Sequence, residues 1–147
     1  MTEQELMDIL VKFYLNSDIP PSRINEHLYN LHLRVLNEIY KDREGLFILH
    51  SGERVERFDE SKLRSSIELT SDSVPEHLSS GDIEQIVKIT MSKINTCRIQ
   101  MEQCHEKIVP ARVIRHYVTE AMNELGFHSM AHAYQNTRKE ELPKRFR

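Results

Sequence analysis

The sequence predicts a mainly α-helical fold: a helical bundle capped by a β-hairpin, with a two-helix extension at the N-terminus. Apolar residues recur every three or four positions along most of the chain, which is the period of an amphipathic helix. Residues 47–59 are the exception, because they carry the one convincing strand signal in the sequence. The chain has only 4 glycines and 5 prolines in 147 residues, too few for an all-β fold rich in tight turns.

The first 45 residues predict two helices separated at Pro20 and Pro21. Thr2 and Glu5 have the spacing of a capping box, and the apolar face that follows consists of Leu6, Ile9, Leu10 and Phe13. Proline ends this helix because it has no N–H to donate. The second helix carries a longer apolar stripe, formed by Ile24, Leu28, Leu31, Val35, Leu36 and Ile39. Such a stripe needs cover, so we expect it either to pack on its own chain or to pair with another subunit, and we favour a homodimer.

A β-hairpin is predicted over residues 47–58, running straight into a helix. Its turn falls at Ser51 and Gly52, since glycine tolerates the positive φ of a hairpin turn. The hairpin should lie across the bundle, because four of its residues need apolar cover: Phe47, Leu49, Val55 and Phe58. Asp59 is a good N-cap for the helix that follows, which carries Leu63 and Ile67.

Three further helices are predicted toward the C-terminus. One begins at Ser80 or Asp82, and the polar segment 95–107 either extends it or forms a loop. Pro110 fits the first turn of the next helix, where its missing N–H does no harm, and Gly126 is a stop signal for that helix. The last helix begins at about Ser129 and runs toward residue 140.

Composition and charge exclude several classes of protein. The net charge of -3 provides no general attraction to nucleic acid or to an acidic membrane surface. No apolar run approaches the ~20 residues that span a bilayer, and the acidic N-terminus lacks a signal-peptide pattern. We therefore expect a cytoplasmic protein, in which Cys97 and Cys104 are reduced thiols.

Catalytic and metal-binding motifs do not stand out in the sequence. It has no nucleophile-elbow serine, no phosphate-binding Walker loop and no paired-histidine zinc motif, so we expect a protein that is not an enzyme. His128 and His132 have the i, i+4 spacing of helical metal ligands. Because no acidic third ligand lies nearby, we expect no intrinsic metal site.

Two stretches of the chain resemble the ATP-cone, a nucleotide-sensing domain of ribonucleotide reductases and of the repressor of their genes. The first stretch is the hairpin and helix start, residues 47–63. The second begins at Ile108, continues through Pro110 and Ile114, and ends near residues 131–134. The resemblance covers roughly the last two thirds of the chain. It implies a helical extension at residues 1–45, an ATP-cone-like domain at 46–140 and a charged tail at 141–147.

The resemblance implies a nucleotide site between the hairpin and the helices. A triphosphate needs converging cations and N–H donors, which helix N-termini also supply. The candidate residues are Phe47, His50, Glu56, Asp59, Lys62, Arg64, Arg112 and Arg115. Lys62 would be the main phosphate contact, and Glu56 or Asp59 would accept a hydrogen bond from sugar or base. Without the resemblance, the spacing of these charges favours the alternative that they are solvated faces of amphipathic helices.

The chain departs from the ATP-cone pattern at positions that hold phosphate and sugar. The usual basic pair before the turn is replaced by Leu49 and His50, and the usual Asp before the turn glycine by Ser51. A Ser or Thr near the start of the second motif's helix is replaced by Ala111. The matching positions are mainly those that build the fold, together with Lys62. His50 would then substitute for a missing arginine, and binding should weaken as rising pH removes its proton.

Three functions follow from these observations. The first is a regulatory protein that senses ATP or dATP, with Mg²⁺, and acts through self-association or a partner such as ribonucleotide reductase. The second is an interaction protein that keeps the ATP-cone fold without binding nucleotide. The third is a DNA-binding regulator, although His32 and Arg34 are among the few basic residues on the second helix, so a nucleic-acid partner is not favoured.

Overall fold

The computed structural model describes residues 1–51, 54–75, 77–101 and 103–141. Within them the predicted fold class is confirmed: the protein is mainly helical, with a small three-stranded sheet that contains a hairpin. The helices are α1 (Glu3–Leu15), α2 (Ile24–Tyr40), α3 (Glu60–Asp72), α4 (Ser80–Gln100), α5 (Ala111–Glu124) and α6 (His128–Glu141). The strands are β1 (Phe47–His50), β2 (Arg54–Arg57) and β3 (Ile108–Pro110). Across these ranges, no helix has both the length and the apolar character needed to traverse a bilayer.

The chain divides into two compact units, Met1–Val35 and Leu36–Arg147, which we call the N-terminal unit and the C-terminal unit. The division falls inside α2. The predicted domain limits were placed instead at residues 45 and 140 and stay a prediction. Of the predicted charged tail, residues 142–147 lie outside the described residues.

The N-terminal unit is a helical hairpin. Thr2 caps α1, since its hydroxyl accepts a hydrogen bond of 3.1 Å from the Glu5 N–H, as the sequence predicts. A 3₁₀ turn at Pro21–Arg23 follows, and then α2 begins. The Tyr14 hydroxyl lies 2.7 Å from Nδ1 of His27, which ties α1 to α2. No residue of α1 is buried.

The sheet has the strand order β2-β1-β3. β1 and β2 form the predicted antiparallel hairpin, in which His50 is opposite Arg54, although the turn residue Gly52 lies outside the described residues. β3 pairs parallel to β1, which the sequence analysis missed. Pro110 was predicted in the first helical turn. It is instead the last residue of β3 and the extended N-cap of α5 (φ -63°, ψ 141°), because its segment aligns with β1.

The core of the C-terminal unit is formed mainly by α3, α4, α5 and α6. Its fully buried side chains include Ile67, Ile86, Ile94, Val118 and Met122. Leu46 beside β1 and Val109 of β3 belong to the same cluster, and Ile48 and Phe58 pack against it. Of the hairpin residues predicted to need apolar cover, Phe47 and Leu49 are buried but lie outside this cluster.

Capping interactions fix the ends of these helices. Ser79 and Asp82 form a capping box at the start of α4, which runs to Gln100, so the first half of segment 95–107 extends that helix. Gly126 ends α5 as predicted, with φ +88°. Its N–H and that of Phe127 bond to carbonyls of the last turn, which is the glycine-dependent Schellman arrangement.

Cys97 and Cys104 are joined by a disulfide in this structure, so the prediction of two reduced thiols is wrong here. α4 ends at Gln100, and Met101 has a left-handed backbone (φ 56°) that turns the chain back. The turn brings the two Cα atoms to 6.0 Å, within the range that a disulfide requires. Spacing along the sequence could not reveal this approach, because it depends on where α4 ends.

Candidate functional site

An open cleft of about 530 Å³ lies between the hairpin, α3 and the start of α5; we call it the hairpin cleft. The strands contribute four lining residues, namely Ile48, His50, Arg54 and Glu56. From α3 and its N-cap come mainly Asp59, Ser61, Lys62, Ser66 and Leu69, while α5 and α6 add Ala111, Ile114, Arg115 and Tyr134. A volume of this size is typical of small-molecule sites.

Five of the eight predicted site residues line this cleft: His50, Glu56, Asp59, Lys62 and Arg115. They come from three separate elements, since His50 and Glu56 lie on the hairpin, Lys62 on α3 and Arg115 on α5. The fold therefore brings together side chains that are up to about sixty-five residues apart in sequence (115 minus 50). Ala111, where the ATP-cone pattern has Ser or Thr, also lies on the cleft wall.

The other three predicted site residues lie outside the cleft. Phe47 is 6% exposed, and its ring packs 4.6 Å from the Tyr40 ring, because alternate residues of β1 point to opposite faces of the sheet. Arg64 is held by Glu84, with two contacts of 2.9 and 3.0 Å. Arg112 is exposed and is not among the lining residues.

Arg54, His50 and Glu56 form a charged group on the face of the hairpin that borders the cleft. Nη1 of Arg54 donates to one oxygen of Glu56 at 2.6 Å, and Nε2 of His50 donates to the other at 2.8 Å. Sequence analysis missed Arg54. The hairpin register could have revealed it, because Arg54 is directly opposite His50 and cross-strand partners share one face.

Glu56 is held in its charged form by these two donors. The hydrogen bond from Arg54 is the main cause that lowers the pKa of its carboxyl, with a smaller contribution from His50, while partial burial opposes both. The predicted roles of His50 and Glu56 are therefore linked. A phosphate that engages His50 must compete with the Glu56 carboxylate, or share the imidazole with it.

The start of α3 forms a second side of the hairpin cleft, next to the charged residues of the hairpin. The Asp59 carboxylate accepts from the Ser61 hydroxyl at 2.6 Å and from the Ser61 N–H at 2.9 Å, which caps the helix and lowers the Asp59 pKa. Lys62 follows within the first turn and is exposed. Its positive charge contributes to lowering the pKa of Asp59, and its side chain lines the cleft.

The apolar lining of the cleft, which we call its inner wall, consists of Ile48, Phe58, Leu69 and Ile114 together with the buried Tyr134. Leu69 is 52% exposed. The Ser66 hydroxyl donates to the Leu63 carbonyl at 2.7 Å and lies 3.2 Å from the Tyr134 hydroxyl. Sequence analysis did not assign Ser66 or Tyr134 to the site, because both lie on apolar helix faces that predict packing alone.

The charged wall is suited to an anion, and the inner wall to a flat apolar group. Arg54, Lys62 and Arg115 contribute three fixed positive charges against two negative charges from Glu56 and Asp59, which leaves +1 with His50 neutral. The N-terminus of α5 also borders the cleft at Ala111, and its N-cap, Pro110, supplies no side-chain cap. Its first N–H groups thus add partial positive charge to the wall.

A metal site is not evident outside the cleft. His128 lies 2.9 Å from the Asn123 side chain and His132 lies 3.0 Å from that of Asn136, so both imidazoles contact amides. In the part of the chain that the structure describes, no three His, Cys, Asp or Glu residues cluster to hold an ion.

Neither a protein-family model nor a curated protein matches this chain. A functional assignment therefore depends on the cleft itself.

Proposed function

We propose that the protein is a nucleotide-responsive regulator that binds ATP or dATP in the hairpin cleft and catalyses no reaction of its own. The observation that supports this most is the convergence of Lys62, Arg115 and Arg54 around one cleft whose inner wall is apolar. Fixed cations favour a polyphosphate, and an apolar slot favours a base. The sequence similarity to ATP-cones points to the same ligand.

In the proposed complex, the phosphates lie against the charged wall of the cleft. Lys62 is the main contact, Arg115 lies on the facing helix, and the N–H groups at the start of α5 complete the wall. Mg²⁺ accompanies the phosphates as part of the ligand. The base enters between Ile48 and Leu69. Glu56 accepts a hydrogen bond from sugar or base while it keeps its hydrogen bond from Arg54.

Nucleotide binding acts on association in this proposal. We propose a cytoplasmic homo-oligomer, or a complex with a protein partner such as ribonucleotide reductase, whose stability changes when the cleft is filled. A ligand shifts association only if it binds one association state more tightly than the other.

An interaction protein that binds no nucleotide is the second candidate, and one observation favours it. The Glu56 carboxylate already accepts hydrogen bonds from two side chains of the cleft, His50 and Arg54. A phosphate entering the cleft would have to overcome this carboxylate, which repels it. Two of the departures from the ATP-cone pattern, Leu49 and His50, lie on β1, and His50 is one of the two side chains that Glu56 engages.

Calorimetric titration separates these two functions. The full chain is titrated with ATP and with dATP, each with Mg²⁺, and separately with Mg²⁺ alone. Saturable binding of either nucleotide at millimolar concentration or below supports the sensor. No heat from either nucleotide at that concentration would reject it and favour the interaction protein. The variant Arg115→Ala, which removes a cation of the cleft wall, should weaken binding at least several-fold.

A further inference from the structure

The N-terminal unit lacks a core of its own. α1 has no buried residue, and α2 has one, Leu33. The unit ends at Val35, below the ~40 residues under which a domain usually needs disulfides, metals or oligomerisation to fold. Both cysteines of the chain lie in the other unit, at Cys97 and Cys104. Oligomerisation is another source of stability, and it would bury the apolar surface of this unit.

α1 is apolar around most of its circumference. Because each residue of an α-helix advances by about 100°, the arc from Ile9 through Leu6 and Tyr14 to Leu15 covers roughly 240°. A surface helix needs an apolar stripe of only about 100° to pack on one neighbour. α2 can cover one part of this arc. Leu6, Ile9 and Phe13 form a ridge along one edge of this arc that stays about half exposed, although the Phe13 ring also stacks on His27 of α2 with the ring centroids 5.9 Å apart.

A groove runs between the two helices beside this exposed ridge. It has a volume of about 650 Å³ and is lined mostly by apolar side chains, including Met7, Leu10, Val11, Ile24 and Leu28. The ridge and the groove lie on the same short helical hairpin. Across a two-fold axis the ridge of one copy can meet the ridge of the other, and the apolar groove residues beside it extend the contact.

The exposed apolar area is close to what a stable dimer buries. Eight large apolar side chains between Leu6 and Val35 are 38–78% exposed. At on the order of 100 Å² for each fully exposed side chain, they present about 400 Å² of apolar surface. Since interfaces are about 57% non-polar, this corresponds to roughly 700 Å² per copy. A standard interface buries about 800 Å² per partner.

We propose that the occupant of this surface is the N-terminal unit of a second copy of this chain, with the two α1 helices packed antiparallel. The charges that border the ridge favour this direction. Glu5 and Lys12 lie on the same side of the ridge, one near each end of α1. An antiparallel pair places each Glu5 beside the Lys12 of the other copy, and Leu6 beside Phe13. A parallel pair would place the two Glu5 side chains on opposite flanks of the interface, where neither meets Lys12 of the other copy.

This inference rests on the self-association in the proposed function and not on nucleotide binding. A dimer could form through the N-terminal units even if the hairpin cleft binds no nucleotide. The two proposals therefore fail separately: the titration of ATP and dATP tests the cleft, and the mass of the chain in solution tests the surface.

The test is the mass of the full chain by light scattering over a range of concentrations, without nucleotide. The wild type should reach twice 17.4 kDa. Phe13→Asp should raise the dissociation constant about thirtyfold or more, because it puts a charge against Leu6 of the other copy within the apolar interface. Ile99→Asp is the matched control, since Ile99 is 81% exposed on α4 in the other unit, and it should stay dimeric.

Charge reversal tests the antiparallel arrangement without altering the apolar ridge. Glu5→Lys and Lys12→Glu should each weaken the dimer about three- to tenfold, and the double variant should recover most of the loss. A wild type that stays at 17.4 kDa at high concentration overturns the proposal. So does a Phe13→Asp variant that is as dimeric as the wild type. A double variant no better than its single parents overturns the antiparallel pairing.

Discussion

The two units are built from similar local signals and differ in what those signals achieve. α1 and α4 both begin with a hydroxyl N-cap, Thr2 and Ser79, and both carry amphipathic patterns. In α4 the apolar face is buried, with Ile86 and Ile94 fully inaccessible, whereas α1 has no buried residue. An apolar stripe thus predicts that a helix forms, but it does not identify the surface that covers the stripe. That surface can belong to the same chain or to another one.

The largest test of this difference is a matched pair of isoleucine truncations. Ile86→Ala should lower the free energy of unfolding by about 3 kcal/mol, because it leaves a cavity in the core. Ile9→Ala, at a site that is 51% exposed, should change it by no more than about 0.5 kcal/mol when the chain is monomeric. Urea denaturation at low protein concentration measures both. Equal losses would show that the N-terminal unit has a core after all.

Removal of a lysine tests whether the hairpin cleft of the C-terminal unit binds nucleotide. Lys62→Ala should weaken ATP or dATP binding by tenfold or more, about 1.4 kcal/mol, because it removes a charge-assisted phosphate contact. Lys88→Ala is the control, since Lys88 is exposed on α4 and does not line the cleft. Titration calorimetry compares the two variants with the wild type. If both variants bind like the wild type, Lys62 has no part in the site.

The helix caps offer a smaller test. Ser79→Ala removes a capping box from a helix that packs in the core, so it should lower the free energy of unfolding by about 1 kcal/mol. Thr2→Ala removes an equivalent hydrogen bond from α1. It should leave global unfolding unchanged and increase amide exchange in α1 alone. Hydrogen exchange by mass spectrometry distinguishes these outcomes, and a global effect of Thr2→Ala would contradict the separation of the units.

The smallest effect concerns acid stability. Hydrogen bonds from Arg54, and to a lesser degree from His50, lower the pKa of Glu56 below its ordinary value of 4.5. A lowered folded-state pKa stabilises the protein above pH 4.5, and this stabilisation is lost as pH falls further. Glu56→Gln should therefore lose less stability than the wild type between about pH 4.5 and 3, by under ~1 kcal/mol. The free energy of unfolding of both proteins is measured as the pH is lowered. Equal losses in the two proteins would contradict the role assigned to Glu56.

The sequence was sufficient for features that depend on neighbouring residues. The Thr2 cap, the hairpin over residues 47–58, the Asp59 cap and the Gly126 stop are all set by local backbone chemistry, and the structure has each of them. What the sequence did not predict depends on distant segments. β3 has only three residues, too few for a pattern, and it is a strand because it pairs with β1.

The residues of the candidate site also differ in whether the sequence alone could assign them. Residues near the hairpin, such as His50 and Lys62, could be assigned to it from their position beside the turn and the first helix. Tyr134 could not, since its helix position predicts packing and its approach to Ser66 spans 68 positions. Arg64 and Arg112 were assigned to the site because of their charge, but neither lines the cleft. The direction of each side chain depends on which face of its helix the residue occupies, and the sequence alone does not fix which face borders the cleft.

The parallel pairing of β1 with β3 has a consequence for how the chain acquires its cleft during folding. Leu49 pairs with Pro110, so this ladder closes a loop of about sixty residues, and loop closure of that length opposes early formation. The hairpin can form within microseconds from its own residues. α5 contributes Ala111, Ile114 and Arg115 to the cleft. A chain that ends before Ala111 lacks this wall, so the complete cleft can form only after α5 has been synthesised.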